Sequence, residues 1–101
     1  MLACRSVQRG QTLATSLTAA AVAEGVAQPR VEVEQLDLAS LDSVRAFAKA
    51  WNARAQPLAC LVNNAGIFDM GARAPGRGDH GFEDHWLTNF VVRDAAFLFF
   101  A

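Results

Sequence analysis

Leu58-Ala59-Cys60-Leu61-Val62-Asn63-Asn64-Ala65-Gly66 is the stretch on which the fold turns. Its first five residues are apolar without alternation, the pattern of a strand buried on both faces of a parallel sheet. The small and polar residues that follow mark that strand's carboxyl end, where open parallel sheets bind their ligands. Upstream, Pro57 closes a helix that Ser40 caps, with Asp42 in its first turn. Leu41, Val44, Phe47, Ala48, Trp51 and Ala55 recur on one face of that helix. Before it, Val31 to Leu36 alternates apolar and polar residues, a strand pattern ended by Asp37 and Leu38. Earlier still, Ser6 caps an Ala- and Leu-rich helix from about Gln8 to Glu24, which Gly25 and Pro29 stop. Met1 to Cys4 is the end of a strand. Downstream, a loop rich in Gly and Arg runs from Phe68 to Gly81, and Phe82 to about Phe97 forms a third helix. Strand, helix, strand, helix, strand, loop, helix is the order of a doubly wound α/β sheet.

Composition narrows the function classes. At 101 residues, the chain is at most one domain. Hydrophobic residues make up 52% and charged residues 19%, which excludes a disordered, highly charged chain. A net charge of −1 provides no basic field for nucleic acid or an anionic membrane. No apolar run reaches signal-peptide or membrane-span length before Arg or Asp interrupts it. Cys4 and Cys60 both lie in apolar surroundings, so two buried, reduced thiols and a cytoplasmic location are expected by default.

The strand ends carry Ala3-Cys4-Arg5-Ser6, Asp37-Leu38 and Asn63-Asn64-Ala65-Gly66. After them comes Asp79-His80-Gly81-Phe82-Glu83-Asp84-His85, with Asn89 four residues further on. In this order and spacing they closely resemble the short-chain dehydrogenase/reductase family, nearest its retinol-dehydrogenase-like branch. The resemblance covers roughly residues 1–90. It implies that residues 1–101 are a partial NAD(P)-binding Rossmann domain, with the second, third and fourth strands and their helices. The family's first strand, its glycine-rich turn and everything after the fourth-strand helix are expected to be missing.

The same resemblance assigns roles. Arg5 follows the second strand, where the adenosine ribose of a cofactor sits. A carboxylate there suits the 2′-hydroxyl of NAD, and a guanidinium suits the 2′-phosphate of NADP. Arg5, with Arg9 one helical turn on, therefore points to NADP. Asp37 is expected to reach the adenine amino group, with Leu38 packed nearby. Ala65 and Gly66 let the backbone approach the cofactor, while Asn63 can bridge neighbouring strands through its carboxamide. Asn89 matches the helix asparagine that helps hold a water in the proton relay. The family's catalytic Ser, Tyr and Lys have no counterparts: the chain has no tyrosine, and its only lysine, Lys49, lies midway along a helix.

Other patterns are decoys. Gly71 to Gly78 nearly spells a phosphate-binding loop, but has Arg77 for the required Lys and Gly78 for the metal-binding hydroxyl. His80 and His85 are five residues apart, so they share no helical face as metal ligands. Arg73 and Arg77 are too few for a nucleic-acid patch. The expected function is thus part of an NADP-dependent oxidoreductase acting on a carbonyl or alcohol, itself inactive, with a nicotinamide cofactor and a small-molecule substrate as partners of the longer parent. The alternative is a non-catalytic product, an interaction piece through its last helix, which in the family commonly packs between subunits.

Overall fold

The computed structural model of the chain describes residues 1–68 and 83–91. The chain divides into two compact units, Met1–Asp37 and Leu38–Ala101. In the first unit, β1 (Leu2–Cys4) and β2 (Val33–Gln35) pair in parallel, with Leu2 opposite Val33 and Cys4 opposite Gln35. The bonds Leu2 N–H to Glu32 O and Leu36 N–H to Cys4 O extend the ladder past both ends of β2. A parallel pair needs a crossover, and α1 (Val7–Ala23) supplies it.

The ends of α1 follow from its sequence. The Ser6 hydroxyl accepts a bond from the Arg9 N–H at 3.3 Å, satisfying one of the four amides that a helix start leaves open. At the far end, Gly25 takes φ +72°, which is why glycine stands there. Its N–H bonds to Val22 O while that of Val26 bonds to Ala21 O, the paired bonds of a Schellman stop. Gly10 is the helix's buried residue. Much of the rest faces outward, and the hydroxyls of Thr12, Thr15, Ser16 and Thr18 satisfy themselves on carbonyls one turn back.

In the second unit, α2 (Leu41–Asn52) starts at Ser40, whose hydroxyl accepts from Ser43 N–H, with Asp42 in the first turn. Val44 and Ala48 are buried and Leu41, Phe47 and Trp51 half-buried, so the expected apolar face forms. The helix does not run on to Pro57. It unwinds after Asn52, through bonds from Arg54 N–H to Trp51 O and Ala55 N–H to Asn52 O, and Ala55 takes a left-handed φ of +49°. Ala55 is therefore off the helix face assigned to it. Proline excludes helical geometry from the residue before it, and the chain leaves the helix several residues ahead of that limit.

The expected fourth strand, Leu58–Val62, is the main correction. These residues carry no strand pairing and are exposed, Val62 by 76%. A continuous apolar run marks a central strand only when partners lie on both sides of it. The described sheet consists of β1 and β2 alone. Cys60 is accordingly exposed rather than buried, while Cys4 is half-buried.

The third helix begins as α3 (Asp84–Trp86) and widens at once into a π-helical segment, Leu87–Val91. Leu87 is fully buried and Thr88 nearly so. The loop after Phe68, residues 79–82 of the motif, and the helix beyond Val91 lie outside the described residues, as do Arg73, Arg77, His80 and the aromatic run 97–100.

Candidate functional site

Two groups of residues carry the expected chemistry, one in each unit. In the first, the carboxyl ends of β1 and β2 lead directly into Arg5 and, two residues after Gln35, into Asp37. Arg5 and Arg9 are both exposed, and the first turn of α1 contains no acid. The 17-residue α1 starts without an acid in its first turn, and Arg5 just before its cap and Arg9 within that turn add two positive charges to the helix's positive end. Asp37 is half-buried. This donor set suits a phosphate ester with an adjoining hydrogen-bonding base.

At this junction, strand and helix are held by a short chain of bonds. The Cys4 thiol donates to Ser6 O at 3.2 Å, and Gly10 N–H donates to the same carbonyl at 3.0 Å. The last residue of β1, the helix cap and the helix's buried glycine are thus joined through one oxygen.

In the second unit, Asn63, Ala65 and Gly66 are all exposed, and Leu38, at the unit's start, is half-buried. The carboxamide bridge at this segment comes from Asn89. Its Oδ1 accepts from Ile67 N–H at 2.9 Å, and its Nδ2–H donates to Ile67 O at 2.9 Å. The side chain thus pairs with a peptide unit as a neighbouring strand would. A Cβ on Gly66 would stand 3.5 Å from Asn89 Oδ1, an ordinary contact, so the small residue keeps the clamp uncrowded without being required by it.

The helix that presents Asn89 is anchored by Glu83. Its Oε1 accepts from His85 N–H at 3.0 Å and lies 2.6 Å from His85 Nδ1, and its Oε2 accepts from Trp86 N–H at 2.9 Å. The backbone bond from His85 holds the Glu83 carboxyl below its ordinary pKa, helped by the His85 ring and the Trp86 amide. The sequence alone puts Glu83 at a solvated helix N-terminus without naming the amides it caps. The signal was there, because an acid at a helix start is a cap candidate. Gly10 was also missed. Its signal was a glycine inside an otherwise Ala-rich helix, which costs about 1 kcal/mol relative to alanine unless something requires it.

A parallel βαβ unit in the first unit, and in the second an Asn-Asn-Ala-Gly segment followed by Ile67, which a helix asparagine clamps, define a mixed α/β protein compatible with part of a Rossmann-like fold. Among known proteins, the chain is 49% identical over 62 residues to the dehydrogenase/reductase SDR family member FEY of Arabidopsis thaliana, a match covering 61% of this chain and 16% of that relative. It is 44% identical over 70 residues to polyprenol dehydrogenase of Danio rerio, covering 69% and 21% of the two chains. Retinol dehydrogenase 12 of Mus musculus is 34% identical over 91 residues, covering 89% and 26%. No protein-family profile matches the chain. The chain belongs to the short-chain dehydrogenase/reductase family, a family of oxidoreductases. Its matches span about a quarter or less of the length of these relatives.

Proposed function

We propose that the chain supplies the adenosine side of the cofactor site of an NADP-dependent oxidoreductase acting on a carbonyl or alcohol. The observation that carries this reading is the βα junction at the end of β1, where exposed Arg5 and Arg9 flank the Ser6 cap and the first turn of α1 contains no acid. Arg5 and Arg9 would hold the 2′-phosphate, Asp37 the adenine amino group, and Leu38 would pack nearby. Asn63, Ala65 and Gly66 would let the backbone approach the rest of the cofactor. When bound, the nicotinamide group supplies or accepts the hydride.

For Asn89 we retain the part in a proton relay that the family resemblance implies, with one refinement. Both ends of its carboxamide are committed to Ile67. A part in holding water therefore belongs to the backbone around it, where π-helical geometry shifts the usual carbonyl partners by one residue.

Arg5→Asp tests this reading. A bidentate guanidinium–phosphate pair is lost with the substitution, so binding of a 2′-phosphorylated adenine nucleotide should weaken by about 1–3 kcal/mol relative to its unphosphorylated analogue. An unchanged affinity ratio, measured by calorimetry, would return Arg5 to the role of a solvated surface residue.

A second reading, a non-catalytic interaction piece, draws on the last helix. There Trp86 and Phe90, one turn apart, are 49% and 60% exposed. Aromatic pairs of this kind anchor protein interfaces. Substituting both with Ser should abolish self-association in analytical ultracentrifugation if this reading holds.

A further inference from the structure

We infer that Gly10 is the positioning residue of the cationic corner: it lets the first turn of α1 sit so close to β1 and β2 that Arg5 and Arg9 address one phosphate. The inference rests on the reading of that corner as a 2′-phosphate site. A Cβ at Gly10 would stand 2.5 Å from Val33 Cγ1 and 2.7 Å from Cys4 Sγ. Ordinary carbon contacts begin near ~3.5 Å, so a methyl group here would require a shift of roughly 1 Å. Neither neighbour yields easily. Val33 is β-branched and stiff at χ1, and the Cys4 side chain is short; both are fixed to paired strands.

The helix start must therefore give way. The groups that move with it are Ser6, which caps α1, and Arg9, whose N–H bonds to Ser6 Oγ. Arg5 follows the last residue of β1 directly and stays with the strand. A displaced helix start would change the separation between the two guanidiniums, and a multidentate phosphate contact is sensitive to that separation. The Cys4 thiol reports on the same seam, because its bond to Ser6 O shares an acceptor with Gly10 N–H.

The test uses the full chain with Gly10→Ala and two readouts. Adenosine 2′,5′-bisphosphate and adenosine 5′-monophosphate are titrated to obtain a binding ratio. Alkylation of Cys4 by iodoacetamide is followed by mass spectrometry, with the exposed Cys60 as internal reference. In Gly10→Ala, the preference for the bisphosphate should fall about tenfold, and Cys4 should alkylate faster relative to Cys60. Circular dichroism should show the helices retained. Removing the obstructing side chains in Gly10→Ala/Cys4→Ala/Val33→Ala should restore the preference, an outcome that loss of helix stability alone would not give.

An unchanged preference in Gly10→Ala overturns the inference, whether or not Cys4 becomes more reactive. If Gly10→Ala unfolds, the triple variant decides: a folded triple variant without the preference overturns the inference, and one with it supports it. Absence of any preference in the unsubstituted chain overturns the reading of the corner itself, and the inference that rests on it.

Discussion

At the scale of single residues, the structure gives the Asn89 side chain more to do than its sequence context suggests. Asn89 replaces a strand partner for Ile67 with two bonds of 2.9 Å. Asn89→Ala would leave a peptide N–H and C=O half-exposed without that partner, which costs about 1 kcal/mol. Hydrogen exchange at the Ile67 amide should accelerate, while the amide of Leu36, bonded to Cys4 O in the other unit, should not change. Equal exchange at Ile67 in both proteins would show that the clamp contributes nothing in solution. Ala55 is the opposite case. Its φ of +49° strains an L-residue by roughly 1–2 kcal/mol. Ala55→Gly relieves that strain but gains flexibility in the unfolded chain, for a net stabilisation of about 0.5–1 kcal/mol. A urea midpoint that stays put or falls would contradict this. Asn89 stands out in the sequence because its neighbours form a recognisable motif, but its two bonds to Ile67 do not. Gly10 does not stand out, because the reason for a missing side chain lies in what stands 2.5 Å away on another element.

At the scale of elements, the helices were legible and the last strand was not. Ser6 and Ser40 announce their helices by capping chemistry, Gly25 announces a stop, and such signals act locally. A strand depends on partners elsewhere, so the apolar run Leu58–Val62 predicted one that the described structure does not form. The start of α3 depends on charge. Glu83 is a carboxyl whose pKa is lowered in the folded chain, chiefly by the backbone bond from His85. Its contribution is therefore present above the ordinary glutamate value of 4.5 and is lost as pH falls through the lowered one. On acidification below that value, the His85 and Trp86 amide resonances should move together and the Trp86 amide should lose protection. Glu83→Gln should abolish the shared titration. Amide shifts that titrate unchanged in Glu83→Gln would show that another group caps the helix.

At the scale of the whole molecule, the chain belongs to a family of oxidoreductases, and the proposed cofactor corner is to be separated from the chemistry of hydride transfer. Hydride transfer to a carbonyl needs a proton donor for the forming alkoxide. The 101 residues contain no tyrosine, and Lys49 is an exposed residue of α2. The purified chain is expected to show no NADPH-dependent reduction of retinal or simple aldehydes. Turnover above a heat-killed control, abolished by a substitution within the chain, would refute this. The βα junction that carries Arg5 and Arg9 was legible because strand ends and helix starts are read from adjacent residues. The open Leu58–Val62 segment has a different consequence, for the chain as a colloid. Five uncharged, apolar residues stand exposed outside the described sheet, between Pro57 and the Asn63–Asn64 pair. Such segments adhere to their own kind, and long-range repulsion is what ordinarily keeps them apart. With a net charge of −1 and an isoelectric point near 6.0, this chain has little repulsion to offer. Its solubility should therefore pass through a minimum close to pH 6 and be limited by concentration rather than by heat.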